Sequence, residues 1–291
     1  MNHPTYRTVE QVIDPKFVIE GADVLLRRSF GPNRANPYDP FLLFDHFAFN
    51  DPKDDPIRGF PTHPHRGIET VTYVLEGSVR HRDSLGNTGV IGPGDVQWMT
   101  SGRGILHEEM PQRGPEGRNT GFQLWVNLPA AKKMGQPRYQ EVLAANIPEV
   151  ALNGARVRLV AGSLNGQRGP VTEIAAEPLY MEVSLEAGAD FELPIPADHT
   201  VIAYLFEGEG LFGLDEAGGG KFVKAVSMII FGGGERFTAQ TGPAAPARFM
   251  LMAGAPFKEP IYPYGPFVMN TAEEIQQTLK ELRNGTFVQA P

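Results

Sequence analysis

Residues 59–77 read Gly-Phe-Pro-Thr-His-Pro-His-Arg-Gly-Ile-Glu-Thr-Val-Thr-Tyr-Val-Leu-Glu-Gly and carry two histidines, His63 and His65, one residue apart. A run of β-forming residues, 70–75, precedes the turn signal Glu76-Gly77. Alternate residues of a strand point to the same face, so an extended His-Pro-His segment would direct both imidazoles into one space. Such an arrangement would present two nitrogen ligands to a metal ion.

A second pair with the same spacing, His107 and Glu109, lies in the segment 101–111. Both side chains would share one strand face, with Glu108 on the other. Two such pairs facing each other could supply three imidazoles and one carboxylate, donors that suit Fe, Mn, Co, Ni, Cu or Zn. An octahedral ion would keep positions for water, O₂ or a chelating substrate. The alternative interpretation is that these are ordinary surface or core histidines in a segment rich in glycine and proline.

The composition limits the functions open to the chain. Its 291 residues include no cysteine, which excludes disulfides, thiolate nucleophiles and zinc–thiolate sites. Acidic residues outnumber basic ones by 34 to 26, and the formal charge of -8 argues against direct binding of nucleic acid. The sequence shows neither a leader-like apolar segment nor a membrane-spanning run, so we expect a cytoplasmic protein with no membrane partner.

Frequent glycines and prolines, 33 and 26 residues, separate short apolar runs and predict an all-β protein. We expect Ser78–Asp83 to form a hairpin with the strand before it and to hold His81 on a solvated face between two arginines. Near the end of the chain, Thr271 and Glu274 form a capping-box pattern that opens a helix, and Asn284-Gly285 ends it.

An internal repeat divides the chain. Residues 70–77 match 201–208, because each segment is a β-rich run that contains tyrosine and ends in Glu-Gly. When the two glycines are aligned, His63 falls on Pro194 and His65 on Pro196, so the second copy cannot rebuild a three-histidine site. We therefore predict an N-terminal metal-binding domain at 1–135, a linker at 136–150 and a C-terminal domain without metal ligands at 151–291.

Three segments resemble the pirin family of the cupin superfamily. Residues 60–71 are similar to its first cupin motif, 93–111 to its form of the second motif, and 264–275 to its tail. The resemblance implies an all-β bicupin with two antiparallel β-barrel (jelly-roll) domains and a C-terminal helix. It also implies a metal, usually iron, that is held by His63, His65, His107 and Glu109. Glu69 lies where many other cupins place a ligand, and by the pirin pattern we expect it to orient a histidine instead.

Several pirins resemble quercetinases. The resemblance therefore implies a dioxygenase of the quercetin 2,3-dioxygenase type, which opens a flavonol ring with O₂ and releases carbon monoxide. We expect Fe(2+), with Mn, Ni, Co, Cu or Zn as possible substitutes, to bind the 3-hydroxyl of the flavonol while Glu109 acts as general base. Phe60 and the aromatic residues of 41–49 are the expected walls of the pocket.

Two other functions stay open at the level of sequence. Some pirins bind transcription factors or metabolic enzymes, and the same ligands could then report iron or redox state to a protein partner. The net charge of -8 fits a protein partner better than DNA. A cupin enzyme that acts on a different small chelating substrate is the remaining alternative, since fold and site do not fix the substrate.

Overall fold

The computed structural model describes residues 5–48 and 59–289, in which 25 strands and one α-helix are present. The strands, in chain order, are β1 Val9–Ile13, β2 Lys16–Glu20, β3 Val24–Phe30, β4 Phe41–Ala48, β5 Phe60–His65, β6 Ile68–Glu76, β7 Ser78–Asp83, β8 Thr88–Ile91, β9 Val96–Thr100, β10 Ile105–Gln112, β11 Thr120–Asn127, β12 Arg138–Val142, β13 Glu149–Leu152, β14 Ala155–Ala161, β15 Ser163–Leu164, β16 Gln167–Arg168, β17 Leu179–Leu185, β18 Asp190–Pro194, β19 Thr200–Phe212, β20 Lys221–Lys224, β21 Ser227–Phe231, β22 Arg236–Gln240, β23 Ala247–Gly254, β24 Tyr262–Tyr264 and β25 Phe267–Met269. Short 3-10 turns cover Ala130–Lys132 and Ala144–Asn146.

Helix α1, Ala272–Asn284, begins and ends as the sequence predicts. Thr271 and Glu274 form the reciprocal capping box, and Gly285 ends the helix in the left-handed conformation, with φ 71°. Ile275 is buried on the inner side of the helix. No helix in the described parts of the chain is long and apolar enough to cross a membrane.

The described residues divide into two compact units. The histidine unit, named for His63, His65 and His107, comprises Lys16–Ala144 and Phe257–Pro291, and the second unit comprises Met1–Pro15 and Ala145–Pro256. This division differs from the predicted domains at both chain ends. At the start of the chain, β1 pairs with β21 of the second unit. At its end, Phe267, Ile275 and Phe287 pack together against Leu106 of β10 in the histidine unit. The predicted linker 136–150 contains β12, which pairs with β9.

The histidine unit is a jelly roll of two antiparallel sheets. One sheet has seven strands in the order β12-β9-β6-β11-β4-β3-β2, and the other has four in the order β5-β10-β7-β8. The two sheets pack through a shared apolar cluster that includes Phe47 and Val74 of the first and Val79 and Ile91 of the second. The predicted all-β bicupin fold is confirmed, although its sheets in the described residues are open and packed face to face instead of closed barrels.

The predicted hairpin between β6 and β7 is wrong. Strand β6 pairs with β9 and β11, whereas β7 pairs with β8 and β10 in the other sheet. Gly77 adopts φ 76°, and a Cβ added there would lie 2.6 Å from the carbonyl oxygen of Gln112. A residue free to take this conformation is needed because the chain crosses from one sheet to the other at this turn.

The second unit repeats the same plan, and among its described residues no histidine is buried in the interior. Gly208 takes φ 78°, as Gly77 does in the first copy, and Tyr73 and Tyr204 are both fully buried. The interior between its strands is filled by apolar side chains, among which Phe237 contacts the rings of three other phenylalanines at centroid distances of 5.0 to 6.1 Å. Aromatic and aliphatic side chains thus fill the interior of this unit.

Replacing Phe237 by alanine is expected to lower the free energy of unfolding by about 3–5 kcal/mol, because the side chain is fully buried and its removal leaves a cavity. The metal content per chain should stay at the wild-type value. Urea titration and elemental analysis measure the two quantities. Phe222→Ala is the control, since this side chain of the same unit is 51% exposed and its loss should change the stability by less than about 0.5 kcal/mol.

Candidate metal centre

Neighbouring strands bring the three predicted histidines together. Strands β5 and β10 are antiparallel, and His63 lies directly opposite His107 in their register. His65 follows on the same face of β5, as the alternation of a strand requires. The ring centroids are 4.4 Å apart for His63 and His107, 4.9 Å for His63 and His65, and 5.0 Å for His65 and His107. Three ligand nitrogens, one from each ring, lie within 4.8 Å of one another.

Two carbonyl groups fix the tautomers of His63 and His65. The Nδ1 atom of His63 lies 2.9 Å from the carbonyl oxygen of Pro61, and that of His65 lies 3.3 Å from the carbonyl oxygen of Pro266. A carbonyl oxygen can only accept, so each Nδ1 carries the hydrogen and donates it. In the neutral rings, both Nε2 atoms therefore hold lone pairs, and these two atoms face each other at 3.0 Å.

The donor atoms fit a metal ion. Two lone pairs at 3.0 Å repel each other unless a cation lies between them, and this spacing is close to the roughly 3 Å between neighbouring ligands that each lie about 2.1 Å from one ion. Within the described residues, neither ring nitrogen of the buried His107 has a hydrogen-bond partner. Burial, together with the neighbouring histidines, lowers the pKa of His65 and of His107 well below the usual value, which favours the neutral, ligating form.

Glu109 lies beside the imidazoles, on the same face of β10 as His107. Its Oε1 accepts a hydrogen bond from the Thr72 hydroxyl at 3.0 Å, and its Oε2 lies 3.9 Å from Nε2 of His107. Burial raises the pKa of the Glu109 carboxyl, while the nearby His63 and the hydrogen bond from Thr72 act in the opposite direction. Glu108 points the other way and forms an ion pair with the exposed Arg82, as the alternation predicts.

Glu69 does not orient a histidine. Thr72 faces Glu109 across the interior, and Glu69 precedes Thr72 by three residues in a regular part of β6, so the two side chains lie on opposite faces of the strand. One carboxylate oxygen of Glu69 accepts a hydrogen bond from Thr100 at 2.7 Å on that opposite face. Burial raises its pKa to about 6. The prediction of a role next to the metal is therefore wrong for this residue.

His81 is buried, not solvated as predicted. Its side chain is 4% exposed, its Nε2 lies 2.8 Å from a carboxylate oxygen of Glu141, and its ring stacks on Tyr139. Both partners belong to β12, the strand in the segment that the sequence was expected to use as a linker. The flanking Arg80 and Arg82 are exposed, so His81 lies on the face of β7 opposite to theirs and the prediction of a solvated face is wrong for this residue.

A cavity of about 500 Å³ opens over the histidines. Phe60 and Phe47 line it, as expected for aromatic residues of these segments, whereas Phe41 is buried in the core and is not part of the lining. Phe49 lies outside the described residues. Sequence reasoning missed Trp125, whose ring meets that of His65 edge-on at 5.1 Å and which also lines the cavity. The strand alternation could have indicated this, because Trp125 follows Gln123 by two residues and therefore shares its inward face.

One side of the cavity is polar. Arg28 donates two hydrogen bonds to Asp45, from Nε and Nη2 at 2.8 Å each, and one from Nη1 to Glu20 at 2.6 Å. Burial raises the pKa of Asp45, and the bonded guanidinium opposes this shift. Asp45 pairs across the strands with Gln123, whose amide donates to Thr72. A continuous line of polar groups thus runs from Glu109 to this side of the cavity.

Known proteins share this architecture. A profile described as Pirin matches residues 23–126, and one described as the Pirin C-terminal cupin domain matches residues 180–288. The chain belongs to the pirin family. This pirin is 42% identical over 283 residues to a pirin-like protein of Caulobacter vibrioides, which covers 97% of this chain and 99% of the relative.

Two further similarities concern quercetinases. A protein of Pseudomonas aeruginosa designated a candidate quercetin 2,3-dioxygenase is 40% identical over 285 residues, 96% of this pirin and 98% of that protein. The crystal structure of a quercetin 2,3-dioxygenase from Acinetobacter baumannii superposes on this pirin with a TM-score of 0.86 at 32% identity. The match covers 98% of this chain and 100% of that chain. The fold of this pirin therefore resembles that of a protein with a named activity.

Proposed function

We propose that this pirin is a metal-dependent dioxygenase of the quercetin 2,3-dioxygenase type, which opens a flavonol ring with O₂. The observation that carries the proposal is the pair of Nε2 lone pairs facing each other at 3.0 Å beside a buried carboxylate, at the base of a cavity with aromatic walls. The similarity to the quercetin 2,3-dioxygenase of Acinetobacter baumannii supports the same reaction class.

The proposed metal ligands are His63, His65, His107 and Glu109. Three imidazole nitrogens and one carboxylate suit first-row divalent ions, and we propose Fe(2+) as the native ion, with Mn, Ni, Co, Cu or Zn able to take its place. When bound, the ion would supply Lewis acidity toward the substrate hydroxyl and the redox chemistry that O₂ requires.

The cavity suits a flat aromatic chelator. Its volume of about 500 Å³ lies in the range of pockets for small organic ligands. Phe47, Phe60 and Trp125 provide apolar walls for aromatic rings. On the polar side, Arg28 uses three of its N–H groups for Asp45 and Glu20, so the guanidinium keeps two of its five donors for phenolic oxygens.

Glu109 is the proposed general base for the 3-hydroxyl of the flavonol. Its side chain lies on the same face of β10 as His107, and its Oε1 accepts a hydrogen bond from the Thr72 hydroxyl, which itself accepts one from Gln123. Its Oε2 lies 3.9 Å from Nε2 of His107, beyond hydrogen-bond distance, and is the oxygen that we assign to the reacting hydroxyl. Exclusion of water from this buried position strengthens the hydrogen bond between the Glu109 carboxylate and the flavonol hydroxyl.

Aerobic incubation of the metal-loaded protein with quercetin tests the proposal. The flavonol absorbance should fall while one O₂ is consumed and one carbon monoxide is released per flavonol opened. Chelator-treated protein and anaerobic samples serve as controls and should leave the absorbance unchanged. If the absorbance persists and no carbon monoxide forms with any of Fe, Mn, Ni, Co or Cu, the proposed activity is wrong.

A further inference from the structure

The C-terminal segment of the chain lies directly against the strand that carries two of the proposed ligands. Phe267 forms a parallel bridge with Arg66, and the backbone N–H of Val268 donates to the Arg66 carbonyl at 3.2 Å. A Cβ added to Gly67 would lie 2.3 Å from the carbonyl oxygen of Val268, so this close approach depends on the glycine. The residues around position 267 therefore follow the backbone of 66–67 closely.

The same segment supplies the group that orients His65. The Pro266 carbonyl accepts from Nδ1–H of His65 although it lies 201 residues away in sequence. His63, in contrast, finds its acceptor only two residues away, in Pro61. If the Pro266 carbonyl moved away, His65 would lose the hydrogen bond that keeps the hydrogen on Nδ1. The ring could then adopt the Nε2–H tautomer, in which Nε2 has no lone pair for the metal.

Two buried basic side chains, Arg66 and Lys133, hold the segment in place. The side chain of Arg66 is 1% exposed; its Nη1 donates to Thr278 Oγ1 at 3.0 Å and its Nη2 to Glu281 Oε2 at 2.6 Å, both on α1. The buried Lys133 donates from Nζ to the Gly67 carbonyl at 2.7 Å and to the Val268 carbonyl at 2.8 Å. A buried donor that loses its hydrogen-bond partners is strongly unfavourable, so both side chains stabilise the contact between the segment and the strand that carries His63 and His65.

We infer that residues 262–287 are a positioning element of the metal centre: the Pro266 carbonyl sets the tautomer of His65, and the Arg66–Glu281 ion pair holds that carbonyl in register. This inference rests on the proposed metal site. The side chains of Arg66, Thr278 and Glu281 do not line the cavity over His63 and His65. Their effect should therefore appear in metal binding and in the tautomer of His65 before any effect on turnover.

Glu281→Ala tests the element because it removes the ion-pair partner of Arg66. The Glu281 side chain is 16% exposed and lies at the surface of the unit, so its removal should leave no cavity in the core. The dissociation constant for Co(2+), measured anaerobically by competition with a chromophoric chelator, is expected to rise by up to about 10-fold. This is the lower end of the range for loss of a direct partner of a ligating histidine, because Glu281 acts on His65 only through Arg66 and the Pro266 carbonyl. The visible spectrum of the Co(2+) protein should also shift. Glu273→Ala removes the same charge from an exposed position of the same helix and should change neither quantity.

A second readout needs no metal. Long-range ¹H–¹⁵N spectra of the metal-free protein should show His65 as the Nδ1–H tautomer, and Glu281→Ala should introduce the Nε2–H tautomer. Thr278→Val, which removes the other acceptor of Arg66, should act in the same direction. If both variants keep the wild-type tautomer and Co(2+) affinity, the inference is wrong. Wild-type protein that binds no metal would instead overturn the proposed metal site, and metal binding without flavonol turnover would overturn only the proposed activity.

Discussion

Glu109→Gln is expected to lower kcat for flavonol opening by about 10²–10⁴-fold, the usual contribution of a general base. The amide has nearly the same shape and keeps an oxygen to accept from Thr72, so the fold should be retained. It cannot take the hydroxyl proton and is a weaker metal ligand. Steady-state oxygen consumption with quercetin measures the loss.

The neighbouring Glu108→Gln is the matched control for this substitution. It makes the same chemical change one residue away on β10, but its side chain points to the opposite face and pairs with the exposed Arg82. We expect wild-type kcat from it. Metal content, determined on the same samples, separates a lost ligand from a lost base. Wild-type kcat in fully metal-loaded Glu109→Gln protein would contradict the assignment of Glu109 as base.

His107→Ala is expected to weaken metal binding by more than about 100-fold, since loss of a mere outer partner of a ligand already costs 10–100-fold. The His107 ring lies within 4.4 Å and 5.0 Å, centroid to centroid, of the other two imidazoles, so its removal takes away one of three nitrogens at the centre of the cluster. Elemental analysis after gel filtration in the presence of a weak chelator should give protein that is nearly free of metal.

The control for this substitution is His46→Ala. His46 is also a buried histidine of the histidine unit, 8% exposed, but its ring packs edge-on against Phe122, on the face of the sheet opposite to Gln123. Both variants should lose stability through the loss of a buried ring, and only His107→Ala should lose metal. Equal metal content in His107→Ala and the wild type would show that the histidine cluster does not hold the ion.

The sequence predicts those parts of the site that depend on the period of a single strand. His63 and His65, like His107 and Glu109, share a face because two residues complete one period of a β-strand, and the structure brings both pairs together. The same period carries Trp125 into the cavity. Capping chemistry likewise locates α1, because Thr271 and Gly285 act on their immediate neighbours.

Features that depend on pairing between distant strands were missed. The Glu76-Gly77 turn could close a hairpin or send the chain to another sheet, and local sequence does not distinguish these outcomes; here the chain changes sheets. His81 is buried because β12, some 60 residues later, supplies Glu141. Glu69 is close to the ligands in sequence but faces away from them, and only the position of Thr72 relative to Glu109 reveals which face is inward.

The discontinuity of the histidine unit has a consequence for how the protein is made. A ribosome releases the strands that carry His63 and His107 before it releases Pro266 and Glu281, which follow His65 and Arg66 by 201 and 215 residues. Domains usually fold as units during synthesis. This unit cannot be completed until the segment from Phe257 onward has been synthesised, so on a shorter nascent chain His65 lacks the carbonyl that sets its tautomer, and metal binding should follow the synthesis of this segment.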